Sequence, residues 1–244
     1  YPYSPDGKPP SFTSATVWPE AWSTSAALAA KTERIEFVTN VYIVPLRHPV
    51  ELAKATSSAS YFSGGRICLG AGAGWMKEEF DAYGVSFKGR GKRMDEMLDI
   101  MQGLWTGEWF EYHGQHFDFP PIQVSPHSKY QVPLYFGGTA KVALRRAARI
   151  GDGWIGAGNA AEDVPRVMSE LQELRKEYGR DHLPFDSLVG VYAKPDKALF
   201  DSLYDSGMTS GLNMPFAYAL GTRSSLDDKK RMMAQFAEGV IRHF

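Results

Sequence analysis

The chain holds 244 residues, 43% hydrophobic and 13% aromatic, with 27 Lys+Arg against 28 Asp+Glu for a formal net charge of −1. That is material for one large α/β domain or two small ones and excludes a disordered chain. The charge balance offers no basic field to neutralise a nucleic-acid backbone, and no apolar stretch approaches the roughly 20 residues that cross a bilayer, so the expected partner is a small molecule or a protein surface.

The first ten residues, with Pro at 2, 5, 9 and 10, read as the middle of a long surface loop without the charged and apolar regions of a signal peptide, and imply residues ahead of Tyr1. Ala21 to Thr32 reads as a helix and Arg34 to Val44 as a strand. Pro49 to Phe62 is helical and stops at Gly64-Gly65, after which Arg66 to Ala71 forms a strand running into a glycine loop. The single cysteine, Cys68, lies inside that strand and reads as a small core residue of a cytoplasmic protein. Arg90 to Trp105 carries Met94, Met97, Leu98, Met101, Leu104 and Trp105 at a period near 3.6, which makes an amphipathic helix.

A segment rich in aromatic residues, His and Pro follows over about 107–131 and reads as a hairpin excursion, with Tyr112, His113 and His116 as hairpin packing. Alternation then resumes with strand Val132 to Phe136, helix Ala140 to Ile150, strand Gly153 to Ala157 and helix Glu162 to Tyr178. Strand Ser187 to Ala193, helix Pro195 to Ser206, strand Gly211 to Phe216 and helix Leu226 to Ile241 complete it. Roughly six βα units mean a parallel sheet with helices outside. Periodicity admits both a (β/α)8 TIM barrel lacking its first one or two units upstream of residue 1 and a complete open doubly wound sheet.

The run Gly70-Ala71-Gly72-Ala73-Gly74-Trp75 follows a strand and has the glycine spacing of a dinucleotide loop, but Trp75 to Glu79 and a further loop separate it from a long helix. The better reading is backbone without side chains at a strand's C-terminal end, against which a flat ring lies; a loop needed only for tight turning is the simpler alternative. Gly137-Gly138-Thr139 opens the next helix and is either an anion site or an ordinary N-cap, with Arg90 and Arg93 as candidate anion contacts or surface ion pairs. The six histidines show no metal-ligand spacing, and neither a nucleophile elbow nor a P-loop is present.

Arg47-His48-Pro49, Ser63-Gly64-Gly65-Arg66, Leu69 to Trp75, Arg90-Gly91-Lys92-Arg93-Met94-Asp95-Glu96, Leu104-Trp105-Thr106-Gly107 and Ala147 to Trp154 share an order and spacing. Together they resemble the luciferase-like monooxygenase superfamily and, more narrowly, its coenzyme F420-dependent oxidoreductases. The resemblance implies a single luciferase-like (β/α)8 barrel domain over 1–244, beginning in the loop after the second strand, commonly a homodimer. It implies a bulge with a non-proline cis peptide at Asn40-Val41, pushing against the back of a ring that also rests on Gly72, Gly74 and Trp75. It places the phosphate at Gly137, Gly138 and Thr139, with Arg93. The implied cofactor is coenzyme F420, a deazaflavin that exchanges hydride with a small organic substrate, with FMN in a two-component monooxygenase as the alternative. A non-catalytic flavin-binding barrel is the third reading. Trp75 stands where the family's sugar-phosphate dehydrogenases carry an acidic residue, which argues against that substrate and leaves the proton donor unassigned; Glu78 and Glu79 are substitutes or members of a solvated helix face. Tyr3, Phe12, Trp18, Trp75 and Phe136 suggest an aromatic-walled substrate pocket.

Overall fold

In the computed structural model, which describes residues 17–127, 129–194, 196–212, 216, 220 and 224–243, strands alternate with helices in the order that the sequence pattern predicts. The chain divides into two units, Val17–Tyr135 and Phe136 onward.

The first unit runs α1 (Ala21–Ala29), β1 (Phe37–Val38), β2 (Tyr42–Ile43), α2 (Pro49–Ser63), β3 (Ile67–Gly72), α3 (Lys77–Tyr83), α4 (Arg90–Trp105), β4 (Phe110–His113) and β5 (Asp118–Ile122), and it holds the start of β6 (Leu134–Gly137). The strand expected over Arg34 to Val44 is two short ones, both parallel to β3, with Val38 opposite Cys68 and Tyr42 opposite Ala71. Four steps on one strand against three on the other make a bulge, and the peptide Asn40-Val41 within it is cis. The short helix α3, whose face Glu78 and Glu79 were expected to form, gets no bounds from the sequence because seven residues give too few turns for a period.

Helix α2 starts at Pro49, whose missing N–H costs nothing in a first turn, and ends at Gly64. Its buried face is built of small residues, among them Ala53, Ser57, Ala59 and Ser60, which lets α4 approach closely. From α4 come Met94, Met97, Leu98, Ile100, Met101 and Leu104, all essentially withdrawn from water, each contributing about 2 kcal/mol of apolar burial. The Trp105 indole N–H donates to Thr56 Oγ1 at 3.0 Å and sets the register of the two helices. Arg66 gathers the C-terminal ends of both α1 and α2: its guanidinium donates to the carbonyls of Ala29, Thr32, Ile35 and Ser63 and to Thr32 Oγ1, at 2.8–3.1 Å.

The excursion is an antiparallel hairpin of β4 and β5. Phe110, Tyr112 and Phe119 form a triangular cluster with centroids 6.3–6.5 Å apart, and the N–H groups of Gln115 and His116 donate to the Glu96 carboxylate of α4. Outside this cluster the exposed His113 Nδ1 lies 2.5 Å from Asp118 Oδ1, a hydrogen bond that raises the histidine above its ordinary value, with Glu111 Oε2 at 3.8 Å from Nε2 assisting. A folded-state value above the unfolded one means that the pairing stabilises the hairpin fully below the unfolded histidine pKa and ceases to do so as pH rises through the folded one. Proton NMR titration should find His113 above the ordinary histidine value and returned toward it in Asp118→Asn; an unshifted His113 in the parent protein refutes the pairing.

The second unit continues from β6 through α5 (Lys141–Ile150), β7 (Gly153–Asn159), α6 (Val164–Glu177), β8 (Asp186–Val191), α7 (Lys197–Asp205), β9 (Ser210–Gly211) and α8 (Leu226–Gly239). Strands β7, β8 and β9 pair in parallel, and α5 packs on α6. Residues 213–215 of the strand expected over Gly211 to Phe216 lie outside the described residues, as do Tyr3 and Phe12. Helix α8 opens with a capping box in which Ser225 and Asp228 satisfy each other's backbone N–H. Among the described residues no helix is long and apolar enough to cross a membrane.

Candidate functional site

The end of β3 and the bulge beside it meet through a missing side chain. A Cβ placed on Gly72 would lie 2.6 Å from Val41 Cγ2, so valine occupies the space that any larger residue at 72 would need. Gly74 has φ +79°, and a Cβ there would stand 2.8 Å from both Ile43 Cγ2 and Phe80 Cε2. At both glycines the room that a side chain would need is taken by the chain's own side chains, through close packing around β3. Exposed side chains lie beside them. Val41 is 37% exposed and Trp75 55% exposed, with Asn40 also at the surface. Thr39 Oγ1 donates to Gly70 O at 2.9 Å and ties the bulge to β3 from the other end.

The structure thus brings Asn40, Val41, Gly72 and Gly74 together, with Trp75 next along the chain. Arg93 is committed elsewhere within the unit: Nε donates to Pro45 O at 3.1 Å, Nη2 to Arg47 O at 3.4 Å, and the guanidinium lies 4.5 Å from the Phe117 ring centroid. Its burial lowers its pKa against the opposing pull of Glu96. Arg90 donates from Nε to Gly74 O at 2.9 Å. These contacts give both arginines backbone carbonyls to hold. Glu78 and Glu79 occupy the first turn of α3, where a carboxylate favours the helix dipole, as a solvated helix face requires. A cavity of ≈ 370 Å³ lined by Trp22, Tyr42, Arg47, Leu52 and Phe62, among others, shares no residue with the Val41 surface.

In the second unit Gly137 ends β6, and Gly138 has φ +107°, where a Cβ would make ordinary van der Waals contact with Ala143 Cβ at 3.5 Å. Thr139 is not the N-cap of α5. Ala140 holds that position and offers no side-chain cap, no acidic residue follows in the first turn, and Lys141 is the first helical residue. A glycine backbone at positive φ, a helix start without a side-chain cap and an adjacent cation fit a phosphate group. The Trp154 indole N–H holds Gly138 O at 2.9 Å and fixes the loop. Phe136, expected in a pocket wall, is only 1% exposed and belongs to the core, since its alternation along β6 turns it inward with Leu134. Trp18 is 76% exposed.

Ile43, Phe80 and Ala140 were missed from sequence. Phe80 had a faint signal in its helical spacing; Ile43 acquires its role only through Gly74, distant in the chain, and Ala140 through where the backbone enters α5. Among the described residues no group of His, Cys, Asp and Glu is placed to hold a metal ion.

Comparison with known proteins matches residues 4–230 to the luciferase-like monooxygenase family. A protein of Mycobacterium tuberculosis, itself uncharacterised, is 36% identical over 248 residues, spanning 99% of this chain and 83% of the relative. The F420-dependent glucose-6-phosphate dehydrogenase of Segniliparus rotundus is 28% identical over 222 residues, 88% of this chain and 64% of that protein. The solved coenzyme F420-dependent tetrahydromethanopterin reductase of Methanopyrus kandleri superposes with a TM-score of 0.75 at 16% identity, over 92% of this chain and 87% of that one. The fold class is therefore α/β, of the luciferase-like TIM-barrel type.

Proposed function

Because the chain belongs to the luciferase-like monooxygenase family, we propose that it is an oxidoreductase using the deazaflavin coenzyme F420 to exchange a hydride with a small organic substrate. The observation that carries this reading is the exposed Val41 on the bulge, packed against Gly72 of β3, with the exposed Trp75 three residues beyond Gly72 along the chain. A flat aromatic ring suits such a surface. The F420-dependent relative from Segniliparus rotundus favours the deazaflavin.

When bound, the deazaflavin supplies hydride transfer at its central ring. The protein's share is orientation and exclusion of water. Val41 supports the ring from one side, Gly72 lets Val41 come forward, and Trp75 adds an aromatic wall. Within the second unit, the N–H groups at the start of α5, with Gly137, Gly138, Thr139 and Lys141, are the assigned phosphate binders. Trp75 cannot donate or accept a proton as a carboxylate does, so the sugar-phosphate substrate of the dehydrogenase relative is not carried over. Tyr3, Phe12 and Trp18 remain candidates for the substrate pocket. The FMNH2-dependent dimethylsulfone monooxygenase of Pseudomonas putida, 27% identical over 158 residues and 63% of this chain, supports FMN with oxygen as the second reading.

Parallel titration of the purified protein with coenzyme F420 and with FMN, followed by tryptophan fluorescence, separates them. Micromolar or tighter F420 binding with much weaker FMN binding is the expected result. The reverse preference moves the protein to the oxygen-using reading, and saturable binding of neither rejects both.

A further inference from the structure

Arg90 and Arg93 stand in the first turn of α4, after a Gly89 N-cap that offers no side chain. Cations are unfavourable at that end of a helix, so helix stability does not account for them. Their partners do. Arg90 reaches Gly74 O from Nε and Phe87 O from Nη1, and its guanidinium stacks 3.8 Å from the Phe87 centroid. Phe87 meets Phe80 edge to face at 5.2 Å, and Phe80 is the ring packed where Gly74 lacks a Cβ. Arg90, Phe87, Phe80 and Gly74 thus form a closed circuit around the loop after β3. Arg93 holds the carbonyls of Pro45 and Arg47, which bracket the turn directly after β2.

We propose that Arg90 and Arg93 are positioning residues: from one helix turn they set the loops following β3 and β2, and so the placement of Trp75 and Val41 toward the cofactor ring. This rests on the deazaflavin reading above. A planar guanidinium with a fixed fork of donors restrains a carbonyl in direction as well as distance, which a flexible ammonium does not. Preorganisation of that kind improves affinity without adding a contact to the ligand.

The test compares the intact protein with Arg90→Gln, Arg90→Lys and Arg93→Gln by hydrogen–deuterium exchange without cofactor and by F420 titration. In Arg90→Gln, exchange of the 73–76 amides should rise while β7 and β8 amides keep their rates, and F420 affinity should fall about tenfold. Arg90→Lys, which can still donate to Gly74 O, should recover part of both. Arg93→Gln should loosen 44–47 and leave 73–76 protected. Unchanged exchange at 73–76 in Arg90→Gln overturns the proposal, as does a loosened loop with unaltered F420 affinity. If the parent protein binds no F420, the cofactor reading fails and takes the positioning role with it. Loosening of 73–76 in the same variants would then identify a loop anchor only.

Discussion

Arg66→Gln should lower the free energy of unfolding by about 3 kcal/mol, the largest loss expected from any single polar substitution in the first unit. Arg66 follows the Gly64-Gly65 stop, so the chain turns at the end of α2 and immediately places a guanidinium where the last carbonyls of α2 and α1 converge. Helix C-termini carry unsatisfied carbonyls and partial negative charge, and one planar cation answers two of them. Its five acceptors are four carbonyls and one hydroxyl, at 2.8–3.1 Å. Glutamine lacks the charge and the reach, which leaves several half-buried carbonyls with poorer partners. Lysine keeps the charge but concentrates its donors at one point, and should recover less than half of the loss. Urea denaturation of the parent, Arg66→Gln and Arg66→Lys reads this directly. Equal stability of the parent and Arg66→Lys would show that charge alone, and not the fork, joins the helices.

The second large effect joins stability to ligand binding. Gly72→Ala should cost about 1–3 kcal/mol, because the new methyl would arrive 2.6 Å from Val41 Cγ2 and valine, stiff at χ1, yields only at a cost. Gly72 does not have positive φ, so the cost comes from contact and not from backbone strain. Removing the obstacle should remove the penalty: Val41→Ala combined with Gly72→Ala should be more stable than the sum of the single changes by about 1–2 kcal/mol. At the cofactor, Gly72→Ala should weaken F420 binding by displacing Val41. Val41→Ala, at a position 37% exposed, should weaken binding with little loss of stability. A denaturation cycle in which the two changes simply add would refute the packing, and undiminished F420 affinity in Val41→Ala would remove Val41 from the ring site.

Much of the framework is visible in local pattern. Helix α4 is bounded at the residues its periodicity predicts because six apolar side chains at helical spacing have one way to be buried together. Helix α2 is bracketed by its own Pro49 and Gly64. The cis peptide at Asn40-Val41 was expected from family resemblance, whereas the division of one expected strand into β1 and β2 required the register against β3. The site is less legible. Gly72 and Gly74 stand out as glycines, yet Val41, Ile43 and Phe80, which claim the space, are between 6 and 31 residues away along the chain. Thr139 has the chemistry of an N-cap, but α5 begins one residue later, since the cap is decided by where the backbone turns and not by which side chain is best suited.

From sequence alone come the order of strands and helices, the aromatic hairpin and the glycine positions near the candidate site, because these depend on spacing along the chain and on the backbone freedom of single residues. Only the tertiary structure assigns Arg66 to two helix ends, Arg90 and Arg93 to two loops, and Val41 to the missing side chain of Gly72. Those pairings depend on distances between residues far apart in the chain, which local propensity does not encode and packing alone decides.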